Sequence, residues 1–89
     1  MMTLEEFRRL EALARAEPTD EHRSEMLQLI GLEKSEQMRK VLTCIYVEKL
    51  TYSQTAEKLF YADRTGVFNA MKRWKRKLKS VNAAKEAVN

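Results

Sequence analysis

The sequence predicts a compact all-α domain of four or five helices, and three observations carry that prediction. Two glycines and one proline in 89 residues are too little punctuation for a hairpin-rich β fold. Apolar residues recur at helical spacing along most of the chain. Short polar capping patterns stand just ahead of the apolar stretches. At 44% hydrophobic and 34% charged, the composition is that of a folded domain rather than a disordered chain, and the length suits one domain.

Thr3 and Glu6 form a capping-box pattern: the hydroxyl accepts an orphan backbone N–H while the carboxylate reaches back. Leu4, Phe7, Leu10, Leu13 and Ala14 then recur along the first helix until Pro18 stops the run. Thr19 or Asp20 caps a second, shorter helix with Met26, Leu27, Leu29 and Ile30 as its apolar stripe. Gly31 is expected to end it in the left-handed conformation, which glycine adopts without Cβ strain.

Ser35 caps a third helix running to about Lys49, with Met38, Val41, Leu42, Ile45 and Tyr46 on one face. Thr51 with Gln54 repeats the capping-box pattern and opens a short fourth helix, Tyr52–Phe60. Its inward residues are Tyr52, Ala56 and Leu59, with Phe60 as a fourth candidate. Tyr61-Ala62-Asp63 forms a turn, and Asp63 is the best N-cap for a fifth helix. There Val67, Met71, Trp74 and Leu78 lie within about 60° of one another. Ser80–Asn89 is an Ala-rich tail that either extends this helix or frays.

Charge divides the chain. Residues 1–36 hold nine acids against five bases, whereas residues 37–89 hold twelve bases against four acids. The densest block, Arg64 to Lys79, has seven bases and no acid. A solvated helix face usually alternates signs; a block of one sign repels itself and points to a polyanion.

Two helices joined by a short turn, the second of them basic, make a helix-turn-helix. That motif asks for a small residue where the helices cross, met by Ala56, and apolar clamps, met by Leu59, Val67 and Met71. It also asks for polar and basic residues on the face that enters the major groove.

Leu50-Thr51-Tyr52-Ser53-Gln54-Thr55-Ala56-Glu57-Lys58-Leu59, followed by Asp63-Arg64-Thr65 and Lys72-Arg73-Trp74-Lys75-Arg76-Lys77-Leu78, resembles the promoter-reading region 4 of sigma factors. It equally resembles the small phage and prophage late-gene regulators related to that domain. Met38–Val47 resembles the supporting helix of the group, so the likeness covers about residues 35–78. Two departures stand out. Phe60 replaces the glycine usual after the leucine, and Gly66 occupies an expected apolar position, with Val67 one residue later, which implies a turn one residue longer.

The organisation expected from this is acidic N-terminal helices over residues 1–34, a helix-turn-helix DNA-binding unit over 35–79 and a tail over 80–89, all in one domain. The function implied is sequence-specific binding of double-stranded DNA for transcriptional regulation. Positions early in the fifth helix reach base edges, so Arg64, Thr65, Asn69 and Lys72 are expected to read bases. Arg73, Lys75, Arg76, Lys77 and Lys79 are expected to hold phosphates, joined by Ser53 and Gln54 at the start of the fourth helix.

The remaining chemistry-bearing residues read plainly. Trp74 continues the apolar stripe and belongs to the core, Phe68 is half-buried packing, and the three tyrosines edge the core. His22 is a surface residue, and the single Cys44 is a small buried hydrophobe, consistent with a reducing, cytoplasmic setting. No catalytic constellation, metal-ligand set, cofactor cradle or membrane span is recognisable, so an enzyme is not expected. Two other functions fit the same motif: a protein-interaction module binding RNA polymerase or another regulator, and the DNA-recognition domain of a small phage packaging subunit. The stripes of the N-terminal helices are expected to pack on the motif or to form a homodimer or polymerase contact.

Overall fold

Five side chains do the capping that opens the helices. Thr3 Oγ1 accepts from Glu6 N at 3.1 Å and Glu6 Oε1 accepts from Thr3 N at 2.8 Å, opening α1 (Leu4–Arg15). Thr19 Oγ1 accepts from His22 N ahead of α2 (Asp20–Ile30), and Ser35 Oγ accepts from Met38 N ahead of α3 (Glu36–Leu42). The Thr51–Gln54 box opens α4 (Tyr52–Lys58). Asp63 Oδ1 takes Thr65 N at 2.9 Å and Gly66 N at 3.3 Å, opening α5 (Arg64–Val88). The structure, a computed structural model, describes the backbone of residues 2–88 and the side chains of residues 2–80. Among the described residues there is no strand, and no helix is long and apolar enough to cross a membrane.

The helix begun by α3 does not reach Lys49. From Thr43 to Val47 it widens into a π turn, with Glu48 N donating to Thr43 O, and Lys49 then turns out at φ 59°. Thr43 Oγ1 donates to Arg39 O at 2.8 Å, the local back-bond by which a threonine loosens the helical ladder. Gly31 does sit at the end of α2, but at φ −60° and ψ −18°, an ordinary right-handed conformation. Leu32 N and Glu33 N continue the bonding to Leu29 O and Ile30 O, so no left-handed residue is needed there. Leu27 also departs from expectation: Met26 and Ile30 are buried, while Leu27 faces out at 44% exposure.

α4 ends at Lys58 rather than at Phe60. Leu59 is its C-cap, Phe60 takes φ 63°, and Tyr61 N donates back to Ala56 O at 2.9 Å. These are the marks of a Schellman ending, in which the residue after the cap is left-handed. Phe60 therefore occupies the conformation that the glycine of the resembling sequences would take, and its ring is 95% exposed instead of inward. Phe60→Gly is expected to relieve this strain and stabilise the fold by about 1 kcal/mol, raising Tm by about 4–8 °C in a thermal melt. An unchanged or lower Tm would show that the ring holds the turn.

One core runs through all five helices. Met2, Phe7, Leu10, Leu13, Met26, Ile30, Val41, Leu42, Ala56, Val67, Met71, Trp74 and Leu78 form it. The Phe7 ring meets Tyr46 edge-on at 5.9 Å and Trp74 edge-on at 5.1 Å, so α1 lies against both the π turn and α5. The stripe of α1 is thus buried within the domain. Trp74 Nε1 donates to Glu33 Oε2 at 2.8 Å, and Glu33 is itself 6% exposed. This buried bond joins the α2–α3 connection to α5.

Candidate nucleic-acid interface

The buried side of α5 determines what its other side presents. Val67, Met71, Trp74 and Leu78 face the core, so the turns between them place Thr65, Asn69, Lys72, Arg73 and Arg76 outward, and all five are exposed. Arg64, Lys77 and Lys79 are exposed as well. The ion pairs of the described residues are Arg9–Glu25, Lys40–Glu36 and Lys58–Glu48, none of which involves a cation of α5. Lys72–Arg76, Arg73–Lys77 and Lys75–Lys79 are like-charge neighbours one helical turn apart, each disfavouring the helix by about 0.2–0.5 kcal/mol. The core face holds the helix together against that repulsion.

The structure does not group Lys75 with the rest. Its side chain is half-buried and its Nζ lies 5.7 Å from the centre of the Phe7 ring, over which the ring quadrupole attracts it. Ser53 and Gln54 are exposed at the start of α4. Gln54 Oε1 is engaged by Thr51 N, so its Nε2 is the donor that remains. Phe68 is exposed at 49%, more than the half-buried packing expected of it, although its ring lies 6.2 Å from that of Tyr52.

The connection from α4 to α5 runs over residues 59–63, longer than the three-residue turn expected, because Leu59 and Phe60 belong to it. Gly66 is explained by Tyr61: a Cβ at Gly66 would come within 3.0 Å of Tyr61 Cδ1. An apolar side chain there would displace the ring whose backbone N–H closes α4, so the clamp falls to Val67, which is fully buried.

Two remaining groups behave as packing. Cys44 is buried, and burial followed by the neighbouring Glu48 pushes its thiol pKa up, away from a reactive thiolate. His22 Nδ1 lies 2.8 Å from Glu17 O and braces the turn before α2. Sequence reasoning missed the Glu33–Trp74 bond and the exposed Phe60. The second was signalled by the position, at which a glycine is usual in the resembling sequences. No protein-family model, curated protein or solved structure matches this chain, so the likeness to sigma factor region 4 is carried by the residues quoted above.

Proposed function

We propose that α4 and α5 act as a helix-turn-helix and that the protein binds double-stranded DNA in a sequence-specific way to regulate transcription, in the manner of the sigma region 4-like phage regulators. The observation that carries this reading is the outer face of α5: cationic from Arg64 to Lys79, free of acids, and without an ion-pair partner among the described residues. Phosphates would supply the missing counter-charge. Arg64, Thr65, Asn69 and Lys72, in the first turns of α5, are assigned to base edges. Arg73, Arg76, Lys77 and Lys79 are assigned to phosphates, with Ser53 and Gln54 on a phosphate beside α4. Lys75, held over Phe7, is the weakest member of that set.

Selection of a preferred duplex from a random pool, followed by Asn69→Ala, tests the assignment. Asn69→Ala is expected to cost about 1–3 kcal/mol on the preferred site and almost nothing on unrelated duplexes. An equal loss on every duplex would move Asn69 from base reading to general attachment, and failure to select any sequence would contradict specific recognition.

A second reading, a protein-interaction module on the same scaffold, is favoured by Phe60. A fully presented aromatic ring in a strained conformation beside Leu59 is the kind of anchor that protein interfaces use. Under that reading Phe60→Gly abolishes partner binding while charge reversal at Arg73 and Arg76 leaves it intact.

A further inference from the structure

The α2–α3 connection and one flank of α5 enclose an open groove of about 680 Å³, lined by Lys34, Gln37, Tyr61, Arg73, Trp74 and Lys77 among others. Its charge is net positive. Lys34, Arg73 and Lys77 bring three cations, and none is ion-paired among the described residues. The buried carboxylate of Glu33 also borders the groove as the one opposing charge among the described residues, its two oxygens held by Trp74 Nε1 at 2.8 Å and Ser35 N at 3.3 Å. Neutral donors complete the lining: Gln37 Nε2 donates to the Tyr61 hydroxyl at 3.3 Å, which leaves the phenolic proton to be donated elsewhere.

The rim that carries Lys34 is held in place. Arg39 Nη1 donates to Glu33 O at 2.6 Å and to Lys34 O at 3.0 Å, and the Glu33–Trp74 bond ties the same connection to α5. The backbone at Lys34 is therefore tied to α5, on which Arg73 and Lys77 lie one helical turn apart. Arg73 lies between the outer face of α5 and this groove, which makes the two surfaces continuous.

We propose that this groove seats the backbone of the DNA strand flanking the major groove occupied by α5, with Lys34, Arg73 and Lys77 each on one of its neighbouring phosphates and the Tyr61 hydroxyl as a neutral donor. The proposal rests on the DNA-binding reading and extends it. The footprint reaches beyond the helix-turn-helix to the connection after α2, within the acidic span of residues 1–36, where the charge distribution alone places no DNA contact. Three unpaired cations around one cleft match a short run of phosphodiesters, each anionic and able to accept several hydrogen bonds at once.

Fluorescence anisotropy of a labelled mixed-sequence duplex, titrated at several salt concentrations, tests it with Lys34→Glu and Lys34→Gln. Arg76→Glu reports the outer face and Arg23→Glu, at an exposed position of α2, serves as the control. Both Lys34 variants are expected to weaken binding several-fold on all duplexes and to reduce the slope of log K against log salt by about 0.9, one phosphate contact. Arg23→Glu should leave that slope unchanged, and matched thermal melts exclude misfolding. If the wild-type protein binds no duplex at low salt, the DNA reading fails and the groove assignment with it. If it binds and Arg76→Glu weakens it while both Lys34 variants bind as wild type, the groove assignment alone is overturned. Unchanged DNA binding with lost affinity for a polyglutamate peptide in the Lys34 variants would assign the groove to an acidic protein segment, also against the proposal.

Discussion

Trp74→Ala is expected to lower the unfolding free energy by about 3–5 kcal/mol, as large aromatic deletions in packed cores do. That is a large part of the stability of a domain this small, about 5–10 kcal/mol. Two losses combine. The edge-on contact with Phe7 goes, opening a void between α1 and α5. The Glu33 carboxylate is also left buried without its strongest donor. Trp74→Phe largely separates them: it keeps a six-membered ring against Phe7 and loses the pyrrole ring with its N–H, for about 1–3 kcal/mol from the lost bond. In that background Glu33→Gln should recover part of the loss, because an amide is easier to bury unpaired than a charge. Urea denaturation measures all three. A loss below about 1 kcal/mol for Trp74→Ala would contradict the packing described here.

The second large effect is on binding. Reversing Arg73 and Arg76 together, each to Glu, is expected to weaken binding to every duplex by a similar factor. It should also reduce the salt slope by about 1.8, two phosphate contacts. Both residues are exposed on α5 and neither contributes to the core, so the thermal melt should not fall. Removing two of the like-charge contacts along α5 should, if anything, stabilise the helix. An unchanged slope would show that DNA does not lie along this face.

Much of the fold is legible in the sequence because the forces that set it are local. Thr3, Thr19, Ser35, Thr51 and Asp63 each cap a helix through a side chain two or three residues from its donor, a relation that spacing alone reveals. The stripes of α1 and α5 are legible for the same reason: a 3.6-residue period identifies the buried face without naming what covers it. What the period does not carry is a change of one residue per turn, so the π turn at Thr43–Val47 and the helix end at Val47 escape it.

Tertiary relations are hidden more deeply. Glu33 and Trp74 are 41 residues apart, and nothing local marks Glu33 as the acid that is buried while its neighbours are solvated. Lys75 lies about 70° from the centre of the buried face, on the border between the two sides. Only the position of Phe7, on a different helix, decides that it turns inward. Phe60 is an intermediate case. The likeness to sequences with glycine at that position already implies a left-handed residue, yet apolar character alone argues for burial, and the backbone requirement prevails.

The most direct test of DNA as the partner is the affinity of the wild-type protein for a mixed-sequence duplex, measured by fluorescence anisotropy across a series of salt concentrations. With Arg73, Arg76, Lys77 and Lys79 on phosphates and Lys34 on a fifth, the slope of log K against log salt should lie near −4.5, five contacts at about 0.9 each. Absence of binding at low salt, or a slope near zero, would contradict the account and leave the cationic face of α5 to a protein partner.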